Sequence, residues 1–166
     1  MHSDNRQVAG ATPLEGYPYF SELQTVEQVL VWMLRRHISS QPFTNTGPTI
    51  EIDNVPDQFR KSFVHMRIIA EAVISGPRSG SDVRSSESNL IGITERQLLR
   101  GIFQFQSGNQ DQASFEIREY LLPYAARVFC ARLKIIAQDL SKNAMNLPAR
   151  AMYTELPPSF SKNRLH

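Results

Sequence analysis

Histidine, the residue most often used as a metal ligand or general base, occurs four times in this sequence. The positions are His2, His37, His65 and His166. A metal site needs three or four ligands that converge, and neither His37 nor His65 has cysteines or paired carboxylates at ligand spacing. We therefore expect no metal ion and no cofactor. His37 stands near the predicted end of its helix, where a positively charged ring would complement the helix macrodipole.

Nucleophilic and acid–base chemistry also lack a recognisable arrangement. Cys130 has Arg127 and Lys134 one helical turn away on either side, but a reactive thiol needs an accessible, electropositive site. We expect an inert side chain at the edge of the core. Glu116 and Glu119 share a helix turn; such a pair can transfer protons, although acids are also common on the first turns of a helix. The sequence contains no nucleophile elbow, Walker loop or dinucleotide-binding fingerprint, so no catalytic residue is assigned.

One segment has the proportions of a helix-turn-helix, the motif that reads DNA with its second helix. Residues 94–105 are followed by a short turn at Gly108 and by a helix that starts at Gln110. The base-reading groups on that second helix would be Gln110, Gln112, Ser114 and Arg118. The same helix carries three acids, Asp111, Glu116 and Glu119. Because these acids oppose binding to phosphates, DNA binding is an alternative and not the leading function.

Four helical segments must position these side chains. Apolar residues recur every three or four positions in residues 22–39 and 56–74, as amphipathic helices require. The first of these faces contains Leu23, Val26, Leu30, Met33 and His37, and the second contains Phe59, Phe63, Met66, Ala70 and Val73. Capping-box patterns at residues 25–28 and 94–97 predict the start of the first helix and of a third helix over residues 94–105.

The last helical segment, from about Gln110 to Asn143, is the longest. A heptad-like seam runs along it through Leu122, Ala126, Phe129, Leu133, Ile136 and Leu140, and a flanking apolar row contains Leu121, Ala125, Val128 and Ile135. A face this broad packs against two neighbours rather than one. Proline removes a backbone donor and clashes with the preceding turn, so Pro123 predicts a kink or a break near residues 120–123.

These elements predict an all-α, single-domain bundle of four or five helices over residues 21–146. Residues 1–20 contain two glycines and two prolines and are expected to form a flexible arm. Residues 75–89 carry one apolar side chain besides proline, so they bury too little to order themselves and are expected to be a mobile Ser/Gly-rich loop. Residues 147–166 are polar and interrupted by prolines, and are expected to be an extended tail.

Composition places the chain among ordinary globular proteins, since 41% of its residues are hydrophobic and 20% are charged, close to typical usage. The single cysteine excludes an intramolecular disulfide and fits a reducing compartment, so we expect a cytoplasmic location. The first residues show no signal-peptide pattern. No apolar run approaches the roughly 20 residues that a membrane-spanning helix needs, and we expect no membrane partner.

Charge is unevenly distributed along the chain. Residues 1–126 carry 11 basic and 14 acidic side chains, whereas residues 127–166 carry seven basic and two acidic ones. Such asymmetry occurs in proteins that bind an acidic partner, and it also occurs where a basic helix face is simply solvated. The basic residues of the second region are spread over many turns, which makes them a weak nucleic-acid footprint.

An excess of apolar helix surface without visible chemistry favours a non-enzymatic interaction module: a regulator, adaptor or assembly component that forms a homo-oligomer or binds another protein. Two-fold pairing, the commonest arrangement, would close the flanking apolar row, which a monomer would rarely expose. The predicted contact residues are Val128, Ile135, Leu121, Arg127 and Lys134. Two other functions stay open: the DNA-binding regulator described above, and an enzyme whose site is assembled from residues far apart in the sequence.

Overall fold

The computed structural model describes residues 16–39, 55–77 and 82–154 of the chain. Their main elements are five helices: α1 (Thr25–Ser39), α2 (Arg60–Ser75), α3 (Ile93–Gln106), α4 (Gln110–Tyr120) and α5 (Pro123–Lys142). A one-turn helix, α6 (Ala151–Thr154), and two short 3-10 helices, Phe20–Glu22 and Asp57–Phe59, complete the helical elements of these ranges. The predicted all-α, single-domain bundle is confirmed.

Helix α5 is the centre of the bundle. It packs against α2, α3 and α4, while α1 packs against α2 and α3. Five of the six predicted seam residues are buried in the core: Ala126, Phe129, Leu133, Ile136 and Leu140. The predicted apolar faces of α1 and α2 also point inward, with Val26 only partly covered. Helical periodicity therefore identified most of the core.

The break predicted at Pro123 is present, and it corrects the assignment of two leucines. Helix α4 ends at Tyr120, and α5 begins at the proline itself, where a missing N–H costs nothing and φ already suits a helix. The two extended residues between these helices have the reverse of their predicted burial, since Leu122 was assigned to the seam and Leu121 to the flanking row. Leu121 is completely buried, whereas Leu122 is 46% exposed and donates its backbone N–H to the carbonyl of Gly76 at 2.8 Å.

Helices α1 and α3 begin slightly earlier than the capping-box patterns predicted. At α1, the carboxylate of Glu27 accepts the backbone N–H of Gln24 at 2.8 Å. At α3, the carboxylate of Glu95 accepts the N–H of Gly92 at 2.9 Å. Glutamates therefore take the role that the sequence pattern assigned to glutamines. Packing requires glycine at residue 92, because a Cβ on Gly92 would meet the carbonyl oxygen of Asp82 at 2.1 Å.

The segment predicted as a mobile loop is instead tied to the bundle over residues 82–89. The backbone N–H of Asp82 donates to the Thr94 hydroxyl, and that of Arg84 donates to Glu95, both at 3.0 Å. The backbone of Asn89 accepts the N–H of Phe20 at 2.7 Å. Polar backbone groups, and not apolar side chains, hold these residues against the bundle, and the mobility predicted for the loop stays a prediction. Residues 78–81 lie outside the described residues.

Parts of both predicted terminal segments also belong to the folded domain. Leu147, Met152 and Tyr153 are buried, so residues 147–154 are not the extended tail that their composition indicated. At the other end, the rings of Tyr17 and Phe20 lie against arginines of the bundle. Residues 1–15 and 155–166 lie outside the described residues, and the arm and tail predicted there stay predictions. None of the described helices is both long and apolar enough to cross a bilayer.

Candidate interaction surface

The interior contains three arginine–glutamate pairs that join distant parts of the chain. The pairs are Arg35–Glu95, Arg100–Glu116 and Arg150–Glu27, with closest N–O distances of 2.6, 2.5 and 2.7 Å. All three glutamates and two of the arginines are buried, and only Arg150 keeps some solvent contact. Charges buried to this extent are expected to be paired and hydrogen-bonded.

Glu27 is the anchor for the C-terminal segment. Its carboxylate accepts two hydrogen bonds from Arg150, each at 2.7 Å, and one from the Tyr153 hydroxyl at 2.5 Å. Burial first, and then the hydrogen bond and charge of Glu27, raise the pKa of Tyr153 far above its usual 10.0. The phenol therefore stays protonated and acts as a donor. From the other side, Arg100 donates to the carbonyl of Met152 at 3.0 Å.

Glu95 and Arg35 hold the preceding loop in the same manner. Arg35 donates to Glu95 through Nε at 2.6 Å and Nη2 at 3.0 Å. Its terminal nitrogens also reach the carbonyls of Ser88 and Leu90 at 2.7 and 2.6 Å. These four bonds use four of the five N–H donors of a buried guanidinium, so this group organises the fold.

His37 is a further interior polar group, and it is not the charged helix cap that its position predicted. It is buried beneath the Phe63 ring at a centroid distance of 4.5 Å, and its Nε2 lies 3.0 Å from the Phe63 carbonyl. Burial, with a smaller contribution from the charge of Arg67, lowers the His37 pKa to about 4, against the opposing effect of that carbonyl. The ring is therefore neutral near pH 7, and desolvation outweighs the macrodipole.

Outside the core, the contact between α2 and α5 leaves an apolar stripe partly open to solvent. On α5, Val128 and Ile135 are half-buried; on α2, Ile68 is half-buried and Val64 is 51% exposed. Residues 64 and 68 are one helical turn apart and form the α2 side of the stripe. Residues 128 and 135 are two turns apart and form its α5 side. We call this stripe and the charged residues beside it the α2–α5 face.

His65 and Arg132 show how the two helices meet along this face. Nη1 of Arg132 lies 3.3 Å from Nδ1 of His65, so α2 and α5 contribute adjacent side chains at its middle. Burial first, then the charges of Arg132 and Lys61, lower the pKa of His65, while Asp139 opposes them. The net effect of these neighbours is a positive potential at the face.

The α2–α5 face is predominantly basic. Lys61, Arg127, Arg132 and Lys134 lie on it or beside it, all at least partly exposed. Asp139 is an acid close enough to this group for its charge to act on His65. Within the described parts of the chain, none of the four cations forms an ion pair. Arg132 already contacts His65, so Lys61, Arg127 and Lys134 are the cations available to an external acidic group.

The predicted contact residues divide into those on this face and one that is not. Val128 and Ile135 are half-buried on the face, and Arg127 and Lys134 are exposed on the outer side of α5. Leu121, predicted to join them, is completely buried because it pairs with Pro77 in an isolated bridge at the end of the bundle. Leu121 is therefore a core residue and is not part of a contact surface.

The predicted DNA-reading residues on α4 are less available than their positions indicated. Gln112 donates its amide to Glu116 at 2.9 Å, and Ser114 is half-buried. Burial raises the pKa of the Cys130 thiol, against the opposing effect of Ser114. Gln110, Gln112 and Arg118 are exposed. The opposing charge is also smaller than predicted, since Glu116 is buried against Arg100.

A shallow cleft of about 380 Å³ lies between residues 16–18 and 149–152. Its one charged side chain is that of Arg150, which both oxygens of Glu27 engage. The cleft therefore holds no free charged group with which to bind a ligand. No family model, curated protein or solved structure matches this chain.

Two features of the face were missed from the sequence. Lys61 and His65 were not connected with the final helix, and Ile68 was not recognised as surface, because nothing in a single sequence shows which helix α2 contacts. The basic excess of residues 127–166 was the available signal. This excess identifies a particular surface only when the structure shows that Lys61 of α2 lies at the same face.

Proposed function

We propose that this chain is a non-enzymatic helical interaction module that binds another protein through the α2–α5 face. The observation that carries the proposal is the half-exposed apolar stripe of Val64, Ile68, Val128 and Ile135, formed by two helices that already pack against each other. An apolar stripe rimmed by polar residues is typical of a protein-binding surface. We place the module in the cytoplasm, on the ground that its one cysteine fits a reducing compartment.

Charge makes self-association through this face less favourable than binding to a different protein. In a two-fold dimer each patch meets its own copy. The cations Arg127, Arg132 and Lys134 would then approach their equivalents, with Asp139 as the acid beside them. Like charges brought together at an interface lower affinity. A homodimer remains a second form of the same proposal, and it is tested by the same variants.

DNA binding through α3 and α4 has weaker support. Burial of Glu116 removes one unfavourable charge, but the exposed amide of Gln112 already donates to Glu116 and Ser114 is half-buried. Sequence-specific recognition needs several free side chains that reach base edges. An enzyme is less supported as well, because each buried acid of the described interior is paired with an arginine.

The proposal is tested with the double variant Val128→Glu with Ile135→Lys. Both side chains are half-buried at the surface, so the new charges can reach water and the fold should survive. We expect unchanged circular dichroism and the loss of association, measured by light scattering for self-association and by fluorescence anisotropy for peptide partners. The control is Val29→Glu, which changes a half-buried valine of α1 outside the α2–α5 face.

Three results would contradict the proposal. One is association that is equally affected by the control variant, which would show that the α2–α5 face has no special role. The other is unfolding of the double variant with an intact control, which would show that Val128 and Ile135 are core residues. A folded double variant that keeps every association of the parent would likewise place the contact elsewhere.

A further inference from the structure

The chemistry of the α2–α5 face restricts the kind of partner it fits, and the inference drawn from it rests on the proposed function. Helices α2 and α5 run side by side with opposite directions, since Gly76 at the end of α2 contacts Ala125 at the start of α5, while His65 meets Arg132 further along. Two adjacent helices form a groove whose shape suits a third helix. An amphipathic helix placed in such a groove is a common mode of recognition.

The floor of the groove is apolar and determines which side chains of a partner can pack on it. Ile68 and Val128 lie near one end and Ile135 about two turns along α5, all half-buried. They are aliphatic, so they offer apolar packing and no aromatic surface on which a nucleic-acid base would stack. The floor therefore favours apolar side chains that recur at helical spacing over an extended phosphate backbone.

The charged part of the groove sets what lies at its edges. Lys61 lies on α2 close to His65. On α5, Arg127 and Lys134 each precede a stripe residue, Val128 or Ile135, by one position and are exposed, so they lie on the solvent side of the stripe. Within the described residues these three form no ion pair. Complementary potentials raise the rate of encounter and exclude partners of the wrong sign. The edges therefore favour carboxylates.

We infer that the occupant of the α2–α5 face is an acidic amphipathic helix of another protein. Its apolar side chains pack on Ile68, Val128 and Ile135, and its aspartates and glutamates lie opposite Lys61, Arg127 and Lys134. A second copy of this chain presenting the same face does not have this chemistry, because its edges are basic. Charge complementarity thus selects an acidic helix over a two-fold copy.

The inference is tested with a displayed library of helical peptides about 18 residues long, a length at which helices are marginal alone and form on binding. Apolar residues are fixed at every third or fourth position, and the remaining positions are random. The full chain is the bait. We expect the selected peptides to carry more Asp and Glu than Lys and Arg at the random positions, and their binding to weaken as salt rises.

A matched pair of charge reversals locates the contact. Arg127→Glu should weaken binding of a selected peptide about fivefold, the size expected when exposed charge pairs are replaced by repulsion. Arg36→Glu makes the same change on the exposed side of α1 and should alter affinity by less than about twofold. Fluorescence anisotropy of the labelled peptide measures both, with circular dichroism as the check on folding.

The possible failures are distinguishable. Enrichment of basic or neutral peptides at the α2–α5 face, or a dimer that Val128→Glu with Ile135→Lys dissociates, would overturn the acidic-helix inference and leave the proposed function standing. Duplex DNA bound by this face in place of peptides would overturn both. A library without enriched peptides, from a chain that is monomeric by light scattering, would also overturn both.

Discussion

Two groups of basic residues in this protein have opposite environments. Arg35, Arg100 and Arg150 each lie against a glutamate in the interior or at its margin, whereas Arg127 and Lys134 on α5 form no ion pair among the described residues. The interior arginines have donors satisfied by carboxylates and backbone carbonyls, so their charge is used within the fold. The charge of the surface cations remains accessible to solvent or to a partner. Identical residue types therefore differ in role according to what the tertiary structure places beside them.

The interior pairs also share a pattern that the surface residues lack. Arg35 and Glu95 are separated by 60 residues, and Arg150 and Glu27 by 123. The first pair joins α1 to the start of α3, where Arg35 also binds the carbonyls of Ser88 and Leu90 in the preceding loop. The second pair joins α1 to residues 147–154. Buried ion pairs add little net stability compared with apolar packing, but they exclude arrangements in which a charge would be unpaired. We expect these pairs to define where the two segments dock.

The largest effect should follow from Arg100→Leu, which leaves Glu116 buried without its cation. Breaking a buried pair from one side costs about 3–5 kcal/mol, measured as the free energy of unfolding in urea at pH 7. The control is Arg100→Leu with Glu116→Leu, which removes both charges and should recover most of the loss. A loss below about 1 kcal/mol in the single variant would mean that this pair behaves like a surface pair.

Tyr153→Phe tests the anchor of the C-terminal segment with a smaller change. The variant keeps the ring stacked on Phe103 at 5.4 Å but removes the hydrogen bond to Glu27. Hydrogen bonds to charged groups contribute about 1.5–3 kcal/mol, and urea unfolding should show a loss of that size. Hydrogen exchange of residues 147–154 should rise more than that of α5. Equal exchange in both regions would argue against a role in docking.

The buried ring of His37 should make the stability of the fold depend on pH. Its folded pKa of about 4 lies below the usual 6.5, so its contribution to stability is complete above pH 6.5 and is lost as pH falls towards 4. The unfolded chain takes up a proton that the folded chain refuses, which costs about 2 kcal/mol by pH 5. In His37→Gln this part of the pH dependence should disappear. A parallel loss in parent and variant would contradict a buried neutral ring.

The smallest effect should come from Lys134→Ala on the exposed side of α5. Surface substitutions away from caps and networks change stability by less than about 0.5 kcal/mol, and the free energy of unfolding should stay within that range. Its effect should instead appear in binding to an acidic helical peptide. A large loss of stability would place Lys134 with the interior arginines and would remove the contrast between the two groups.

Much of the fold follows from the sequence because it depends on local periodicity. Apolar residues at three- and four-residue spacing identified α1, α2, α3 and most of the seam of α5. Pro123 predicted the end of one helix and the start of the next. These signals are encoded within about one or two turns of chain, where backbone geometry alone decides which residues share a face.

The polar interior could not be predicted in the same way. Glu27 and Glu95 stand at helix starts, where an acid is expected in any case, and nothing local shows that Arg150 and Arg35 meet them. For the same reason, residues 82–89 and 147–154 were predicted as loop and tail. Residues 82–89 do carry few apolar side chains, whereas Leu147, Met152 and Tyr153 of the second segment are buried in the core, although the composition of residues 147–166 indicated a tail. The hydrogen bonds that hold both segments come from residues far away in the sequence.

The sequence by itself determined the helices, their apolar faces and the break at Pro123, since each depends on neighbours within a few residues. Only the tertiary structure decided which of two adjacent leucines is buried, that His37 is neutral, and which cations remain at the surface. Those outcomes depend on desolvation and on charges carried by other segments, and both are set by packing between helices. The α2–α5 face belongs to this second class, because its stripe and its cations come from two helices that are neighbours in space but not along the chain.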